Sequence, residues 1–392
     1  MAKYIFITLL TLNFWMSQAQ CNGRYETEIF TDASVQTVNY STVNQLDLDI
    51  YTGDGDTETN RPLVILAHGG SFISGTKTNP LMVTLAEKLA KRGYVAASIS
   101  YRLMSLANIS QPEQYIDGVV KGMGDGRAAI RFFYKSVLDD GNPYGIDTTQ
   151  IYFCGNSAGG VIGLHAAFLD ENDTPTGDFL TALNANNGIE GNSGNPGYSS
   201  DLAGAISLAG GIADVNFIEV SDTNTLLISA HGDNDNIVPF SCGQPLNNAQ
   251  LPQLCGGGAI ELHTAPLNYT KHFHQTYTGE SHCPWNSDAA DEASMTQFVF
   301  DNLYNNLPCH ELIGVTEIDE NSTIRVFPNP AQSTVQISSH LTIRSVDIFS
   351  MTGQYLFSSN QSTIDVQGLE AGTYILKIQT PNAIHTTPLI KQ

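Results

Sequence analysis

Short apolar runs alternate with helical patterns through the middle of the chain, and this alternation limits its fold more than any other feature. The apolar runs occupy residues 63–67, 94–99, 151–154, 203–208, 226–230 and 273–278, and the helical patterns occupy residues 80–92, 112–138, 158–169 and 288–304. Strands buried on both faces of a sheet read as continuous apolar runs, and intervening helices imply parallel pairing. We therefore expect an α/β fold built on a doubly wound, mostly parallel sheet.

Two further segments differ from this core in texture. Residues 35–50 show strand-like alternation, which predicts an antiparallel hairpin at the edge of the sheet. Residues 170–200 are rich in Asn, Gly, Asp and Ser, which predicts a long surface insertion.

The pattern changes after about Leu312, where helical spacing stops and short β-branched runs separated by turn residues begin. Strands are predicted at residues 335–337, 345–349 and 373–378, and turns at residues 352–354 and 371–372. We expect a small all-β sandwich over residues 313–392, joined to an α/β domain over residues 20–312 through a polar stretch near residues 317–322.

Residues 1–19 have the composition of a secretory signal peptide. Lys3 supplies a positive start, and the apolar run that follows is too short to span a bilayer. We expect cleavage after Ala19, with Gln20 as the next candidate. Lipid attachment at Cys21 is the minority alternative, because Gln20 stands where a small residue is required. No later segment is apolar for long enough to cross a membrane, so the mature protein is expected to be exported and soluble.

The chain is strongly acidic, with a formal net charge of -22. An acidic surface disfavours nucleic acid and anionic membranes as partners, and its simplest consequence is solubility outside the cell. Asp54 and Asp56 could together hold calcium, but a solvated turn is the favoured interpretation.

The six cysteines are free to form disulfides if the chain is exported. Cys242 and Cys255 bracket a short loop and are the favoured pair, and Cys283 with Cys309, which flank a predicted helix, is the second. Cys154 lies in a buried strand pattern and is expected to stay a thiol. No spacing of His and Cys resembles a zinc site, and no metal is expected.

Residues 155–159 read Gly-Asn-Ser-Ala-Gly and lie between a predicted strand and a predicted helix. Small residues around Ser157 allow the sharp turn that exposes a nucleophilic hydroxyl. The following helix N-terminus directs free N–H groups toward developing negative charge. Ser157 is therefore the predicted nucleophile, with a structural Gly/Ser turn as the alternative.

A second glycine-rich turn follows residues 63–67 and begins at His68. Acyl transfer builds negative charge on a carbonyl oxygen, and losing one backbone donor to that charge costs about 10² to 10³ in rate. Gly69, Gly70 and Ala158 are predicted to supply these donors. His68 is expected to brace the loop, and a plain turn is the alternative.

A serine hydroxyl needs a neighbouring base, and His282, in a polar loop after residues 273–278, is the predicted one. The base needs an acid to hold its tautomer, and Asp235 is preferred to Asp233 for this role. The alternative for both acids is an Asx-rich surface turn. The competing histidines, most of them expected to be ordinary surface or loop residues, are His231, His263, His272, His274 and His310.

From about residue 47 to residue 307, the chain resembles the carboxylesterase and feruloyl-esterase-like branch of the α/β-hydrolases. The motifs that carry the resemblance are residues 68–70, 155–160, 231–239 and His282, with Asp125 and residues 128–132 as a further match. The resemblance implies that Ser157, His282 and Asp235 hydrolyse carboxylic esters through an acyl-enzyme, with no metal and no cofactor. Ser71 is a departure, since relatives with three glycines have the third one there.

The tail resembles the C-terminal sorting domain of type IX secretion cargo. The resemblance is carried by residues 326–330, 346–349, Gly353, Leu369, 371–374 and Lys391. It implies a Bacteroidetes-like origin, export by the type IX machinery to the cell surface or beyond, and removal of the tail. A carbohydrate-binding sandwich is the alternative, although no aromatic platform stands out.

Together these features predict a secreted serine esterase. A catalytically silent relative that serves in binding or adhesion is one alternative, and a serine peptidase of related fold is another. The ester is not identified by the sequence and could be a small molecule, a lipid, an esterified polysaccharide or a polyester. Loops 170–200 and 239–258 are expected to shape the pocket. Phe72 and Trp285 could each line the site or simply pack beside it, and the sequence favours neither role.

Overall fold

The computed structural model describes residues 21, 23–309, 324–339, 343–350, 355–380 and 384–392. The predicted signal peptide, the polar stretch near 317–322, the turn at 352–354 and His310 lie outside the described residues. Residue contacts divide the chain into two units, Met1–Glu311 and Leu312–Gln392, and each is described by itself.

A central sheet organises the first unit. Its strands are β1 (Ala33–Ser41), β2 (Leu46–Gly53), β3 (Arg61–Ala67), β4 (Val95–Ile99), β5 (Ile146–Asn156), β6 (Gly204–Leu208), β7 (Leu226–Gly232) and β10 (His272–Tyr277), and a separate ribbon pairs β8 (Cys242–Gly243) with β9 (Leu254–Cys255). The order across the sheet is β1-β2-β4-β3-β5-β6-β7-β10. All neighbours from β4 to β10 pair in parallel, and the β1–β2 hairpin adds an antiparallel edge. The predicted fold class and the edge hairpin are confirmed.

Helices follow the strands, as the alternating sequence predicts. They are α1 (Pro80–Lys91), α2 (Pro112–Leu138), α3 (Ala158–Phe168), α4 (Gly177–Ala185), α5 (Gly257–Thr264) and α6 (Ala289–Asn305). Asn79 caps α1 by accepting from the N–H of Leu81, and Pro80 occupies the first turn, where it costs no hydrogen bond. The next residue after the C-cap, Gly93, has φ +95°, which suits a glycine and ends the helix. None of the described helices combines the length and hydropathy that a bilayer requires.

The central strands are buried on both faces. Leu63 and Ile65 of β3 pack in the cluster that includes Phe133 of α2, whereas Val64 and Leu66 pack in the cluster that includes Leu85 of α1. Successive side chains of a strand point to opposite faces, so a sheet covered by helices on both sides needs an apolar residue at every position. This explains the continuous apolar runs.

The insertion at residues 170–200 is more ordered than its polar composition indicates. It contains α4, and Asn186 and Ser193 are buried. Glu190 anchors it by accepting from Arg127 Nη1 at 2.9 Å and by pairing with Arg131, both on α2. The predicted surface insertion is therefore present, and long-range ion pairs give it order that no local pattern reveals.

Two disulfides are present among the described residues. Cys242 pairs with Cys255 as predicted, and Cys154 is a buried thiol as predicted. The predicted Cys283–Cys309 bond is wrong, since Cys309 pairs with Cys21 and Cys283 is a buried thiol.

The length of α6 explains this correction. Cys283 precedes α6 and Cys309 follows it, and a 17-residue helix spans about 25 Å, far beyond the roughly 7 Å between Cα atoms that a disulfide allows. The bond to Cys309 also occupies the Cys21 thiol that a lipid would need, which argues against the lipoprotein alternative.

The second unit is all β. Its strands are β11 (Arg325–Phe327), β12 (Thr334–Ser338), β13 (Ser345–Ser350), β14 (Tyr355–Ser359), β15 (Thr363–Asp365), β16 (Gly372–Gln379) and β17 (Ile384–Lys391). One antiparallel sheet has the order β11-β12-β15, and another has the order β14-β13-β16-β17. Alternate residues of both sheets, such as Val335, Val346 and Leu376, share one buried core, as expected of a small sandwich.

Candidate active site

Ser157 lies at a sharp turn between β5 and α3. Its backbone is held at φ 54° and ψ -116°, and its N–H donates to the carbonyl of Leu208 at 2.7 Å. The turn depends on its glycines, because a Cβ at Gly159 would stand 2.0 Å from the carbonyl oxygen of Ala67. A positive φ at a non-glycine residue is costly and persists where the surroundings enforce it. The packing of β5 and α3 therefore fixes the Ser157 hydroxyl at the carboxyl edge of the sheet.

The structure brings Ser157, His282 and Asp235 together in one hydrogen-bonded chain. His282 Nε2 lies 2.8 Å from Ser157 Oγ, and His282 Nδ1 lies 2.6 Å from Asp235 Oδ2. A carboxylate can only accept, so Nδ1 carries the hydrogen, and Nε2 is left to accept the Ser157 proton. This is the arrangement that a serine nucleophile, a base and an orienting acid require.

Asp235 is held as an anion in a buried position. Its side chain is inaccessible to solvent, and its Oδ1 accepts from the N–H groups of Ile237 and Val238 at 2.8 and 3.0 Å. Burial by itself raises the pKa of this carboxyl, but hydrogen bonds from His231 and His282 outweigh it and lower the pKa below its usual range. Asp233 is turned elsewhere and accepts from Gly279 N at 2.6 Å.

His231 belongs to the site, although the sequence pattern groups it with the competing histidines. It ends strand β7, is 1% exposed, and places Nε2 3.1 Å from Asp235 Oδ2 and 3.0 Å from the carbonyl of Val238. Gly257 N–H donates to its Nδ1 at 3.1 Å. His231 therefore keeps its hydrogen on Nε2, where Asp235 Oδ2 and the Val238 carbonyl can both accept it. Its position directly after the apolar run 226–230, at the carboxyl end of a predicted strand, is the sequence feature that could have indicated a place in the site.

Gly69 approaches Ser157 closely, Ala158 follows Ser157 in the chain, and Gly70 follows Gly69 in the same loop. A Cβ at Gly69 would stand 3.1 Å from Ser157 Cβ, which shows how closely the two loops approach. Within the described part of the chain, none of the three N–H groups donates to a protein acceptor. Ala158 is the first residue of α3, where N–H groups lack helical partners and the helix dipole favours negative charge.

The loop after β3 is braced by His68, as the sequence analysis expects. His68 Nδ1 donates to the carbonyl of Gly69 at 2.7 Å, and its ring stacks on Tyr101, whose hydroxyl donates to the His68 carbonyl at 2.8 Å. Ser71 adopts φ 52°, a left-handed conformation that glycine would adopt at less cost.

Asn156 connects the turn at Ser157 to the loop that carries His282. Its Oδ1 accepts from Trp285 Nε1 at 2.9 Å and from the Cys283 thiol at 3.4 Å. Burial and the negative charge of Asp235 raise the pKa of that thiol, so it stays protonated and can donate. Trp285 is therefore a packing and anchoring residue rather than a pocket residue.

A cavity of about 500 Å³ opens beside Ser157. Its floor follows one face of α3 through Ser157, Val161 and His165, and Phe72 lines it from the loop after β3. Burial lowers the pKa of His165 to about 4, so this side chain is neutral at pH 7. Among the described lining residues there is no Lys or Arg, and Asp214, at an exposed position, is the only carboxylate. The cavity thus suits an uncharged, largely apolar group.

Two family models match this chain. Residues 48–201 match the BD-FAE model, and residues 325–392 match the secretion system C-terminal sorting domain. The first unit carries a BD-FAE domain, an esterase-like α/β-hydrolase. The second unit carries the sorting domain. The matched BD-FAE segment contains Ser157 and the loop of Gly69 and Gly70, whereas Asp235 and His282 follow it in the chain.

Solved structures similar to this chain include esterase 2 of Thermogutta terrifontis in several states. The propionate-bound form is 19% identical with a TM-score of 0.46, over 69% of this chain and 93% of that chain. The native form is 19% identical with a TM-score of 0.47, over 72% of this chain and 95% of that chain. No curated protein sequence matches the chain.

Three of the competing histidines of the first unit are not simple surface residues. His272 and His274 lie on β10 and contact Ser229 Oγ at 3.1 and 2.6 Å, and His263 lies on α5 with Nε2 2.9 Å from the carbonyl of Ile218. The expectation that most competitors are surface or loop residues is wrong for these three, because they lie on β10 and α5 and have hydrogen-bond partners there or in distant segments.

Proposed function

We propose that this protein is a secreted serine esterase that hydrolyses carboxylic esters through Ser157, His282 and Asp235. The observation that carries the proposal is the continuous chain from Ser157 Oγ through both nitrogens of His282 to Asp235 Oδ2, with distances of 2.8 and 2.6 Å. The BD-FAE match and the sorting-domain match support the reaction class and the export separately.

In the first half of the proposed reaction, Ser157 Oγ attacks the ester carbonyl carbon. His282 Nε2 takes the serine proton, and Asp235 stabilises the imidazolium that forms. The carbonyl oxygen becomes negative and receives hydrogen bonds from the free N–H groups of Gly69, Gly70 and Ala158. Collapse of the tetrahedral intermediate returns the proton from His282 to the alkoxy group, which leaves as the alcohol.

In the second half, water replaces the alcohol. His282 removes a proton from the water, the resulting hydroxide attacks the acyl carbon, and Ser157 leaves with the proton that His282 returns. The product is the carboxylic acid, and the enzyme regains its starting state. The apolar cavity beside Ser157 holds the acyl group while both steps occur.

The experiment measures release of p-nitrophenol from p-nitrophenyl acetate and butyrate. Ser157→Ala and His282→Ala should each lower kcat by at least about 10⁴-fold. Ser294→Ala, on α6, is the matched control and should keep full activity. Full activity of Ser157→Ala, or no ester hydrolysis by the unaltered protein, would overturn the proposal. Cleavage of casein without ester hydrolysis would instead support a peptidase.

A further inference from the structure

The segment between the paired cysteines, residues 243–254, forms one wall of the cavity beside Ser157. We call it the bracketed wall. The cavity-lining residues that it contributes are Pro245, Leu246, Pro252, Gln253 and Leu254. The insertion also contributes to the lining, through residues 174–176 and Phe179. The bracketed wall therefore contacts whatever group extends away from Ser157 into the cavity.

Few hydrogen bonds join the bracketed wall to the rest of the unit, although its Pro245 and Leu251 are buried. Within the described residues, two hydrogen bonds join residues 244–253 to the rest of the unit beyond the cysteines. They run from Leu246 N to the carbonyl of Ile237 at 2.8 Å and from Asn248 Nδ2 to the carbonyl of Ile109 at 3.3 Å. The two ends meet at the Cys242–Cys255 bond.

One end of the bracketed wall is anchored independently of the disulfide. Cys255 exchanges both backbone hydrogen bonds with Ile212, at 2.8 and 2.9 Å, and is 1% exposed. Cys242 is exposed. The segment before Cys242 is also held, since the N–H groups of Gly258 and Ala259 donate to the carbonyl of Phe240 at 3.0 and 3.2 Å. The disulfide thus closes the wall between two anchored ends. The hydrogen bond from Gly257 to His231 lies beyond Cys255 and does not need the disulfide.

The bracketed wall also holds a costly backbone conformation. Leu246 has φ 59° and Asn247 has φ 50°. Two successive left-handed residues, one of them a bulky leucine, persist only where the surroundings enforce them. Leu246 in this conformation lines the cavity. The conformation that costs free energy is therefore the one that shapes the pocket.

We propose that the Cys242–Cys255 disulfide makes the bracketed wall the element that selects the acyl group, with Leu246 as its specificity-determining side chain. This inference rests on the proposed esterase function. An acetyl group ends in a single methyl, so acetyl esters have the least apolar surface to bury against the wall. Longer uncharged acyl groups bury their methylenes against Leu246 and its neighbours, and each buried methylene is worth up to about fourfold in kcat/KM.

The experiment compares kcat/KM for p-nitrophenyl acetate and hexanoate in three oxidised proteins. In Cys242→Ser/Cys255→Ser, the hexanoate-to-acetate ratio should fall at least fivefold, while kcat/KM for acetate stays within twofold. Cys21→Ser/Cys309→Ser is the matched control, because it removes the other disulfide of the same unit, and its ratio should equal that of the unaltered protein.

A second variant guards against a folding defect. Leu246→Gly keeps the disulfide, removes the side chain and relieves the left-handed conformation, and should lower the ratio in the same direction. An unchanged hexanoate-to-acetate ratio in both Cys242→Ser/Cys255→Ser and Leu246→Gly would overturn the inference. Equal losses on both esters would also overturn it, since the wall would then support the triad and not selectivity. Failure of the proposed function is distinct, because the unaltered protein would then hydrolyse neither ester.

Discussion

His231 Nε2 lies 3.1 Å from Oδ2 of Asp235, the same oxygen that faces Nδ1 of His282. Asp235 is thus held between two imidazole donors and two backbone N–H groups. Because Gly257 N–H occupies Nδ1 of His231, this ring has one hydrogen to give, and Asp235 Oδ2 and the Val238 carbonyl share it. We interpret His231 as a positioning residue that fixes the Asp235 carboxylate and does not touch substrate.

Replacing His231 should weaken catalysis without weakening substrate binding. His231→Leu removes a hydrogen bond to a charged group, which is worth about 1.5–3 kcal/mol, and kcat should fall about 10- to 100-fold. His231→Gln keeps one N–H donor and should retain more activity. Steady-state kinetics on p-nitrophenyl butyrate checks this. His263→Leu is the control, and a matching rise in KM for His231→Leu would argue against a positioning role.

The hydrogen bond between Trp285 and Asn156 should also affect turnover. Trp285→Phe keeps an aromatic ring but leaves the buried Asn156 Oδ1 with only a weak thiol donor, a loss of about 1–3 kcal/mol in the free energy of unfolding. The melting temperature and kcat should both decrease while KM stays constant. Unchanged unfolding would mean that the bond at 2.9 Å does not anchor the loop of His282.

Buried neutral histidines should make stability depend on pH. Burial lowers the pKa of His165 and of His274 to about 4 in the folded protein, whereas an unfolded chain has about 6.5. The unfolded state therefore binds more protons between pH 6.5 and 4, and stability should fall as the pH decreases through that window. Across that window, each of the two histidines should lower the free energy of unfolding by about 3 kcal/mol.

Thermal melting at half-unit pH steps measures this slope. In His165→Asn, stability should fall less steeply with decreasing pH, because unfolding then takes up about one proton fewer over the same window. A melting temperature that stays constant from pH 6.5 to 4 would contradict the assignment.

The two disulfides should differ in their effect on stability. Cys21–Cys309 closes a loop of 288 residues, and Cys242–Cys255 closes one of 13. Loop-closure entropy assigns about 6 kcal/mol to the first and about 3 kcal/mol to the second. Denaturant unfolding of the two double Cys→Ser proteins should show the larger loss for Cys21 and Cys309. The reverse order would be inconsistent with an entropic origin.

Local patterns were sufficient to predict the architecture and the place of Ser157. The strand, glycine-rich turn and helix that surround Ser157 are contiguous in the sequence, so their geometry follows from residues a few positions apart. Likewise Asp235 and His282 follow strands β7 and β10, whose carboxyl ends meet at one edge of the sheet.

Contacts between residues far apart in the sequence could not be predicted from these local patterns. The partner of His231 Nδ1 is Gly257, and the partner of Cys309 is Cys21, at a separation that no periodicity encodes. The left-handed conformation of Leu246 could not be predicted either, because leucine rarely adopts it and no local pattern indicates it.

The most direct test of the central claim is covalent labelling with a fluorophosphonate, followed by mass spectrometry of peptides from the exported protein. The account predicts one phosphonyl adduct, located on Ser157, with loss of esterase activity in step with labelling and no adduct on Ser157→Ala. An adduct on another residue, or complete inhibition with Ser157 unmodified, would contradict it.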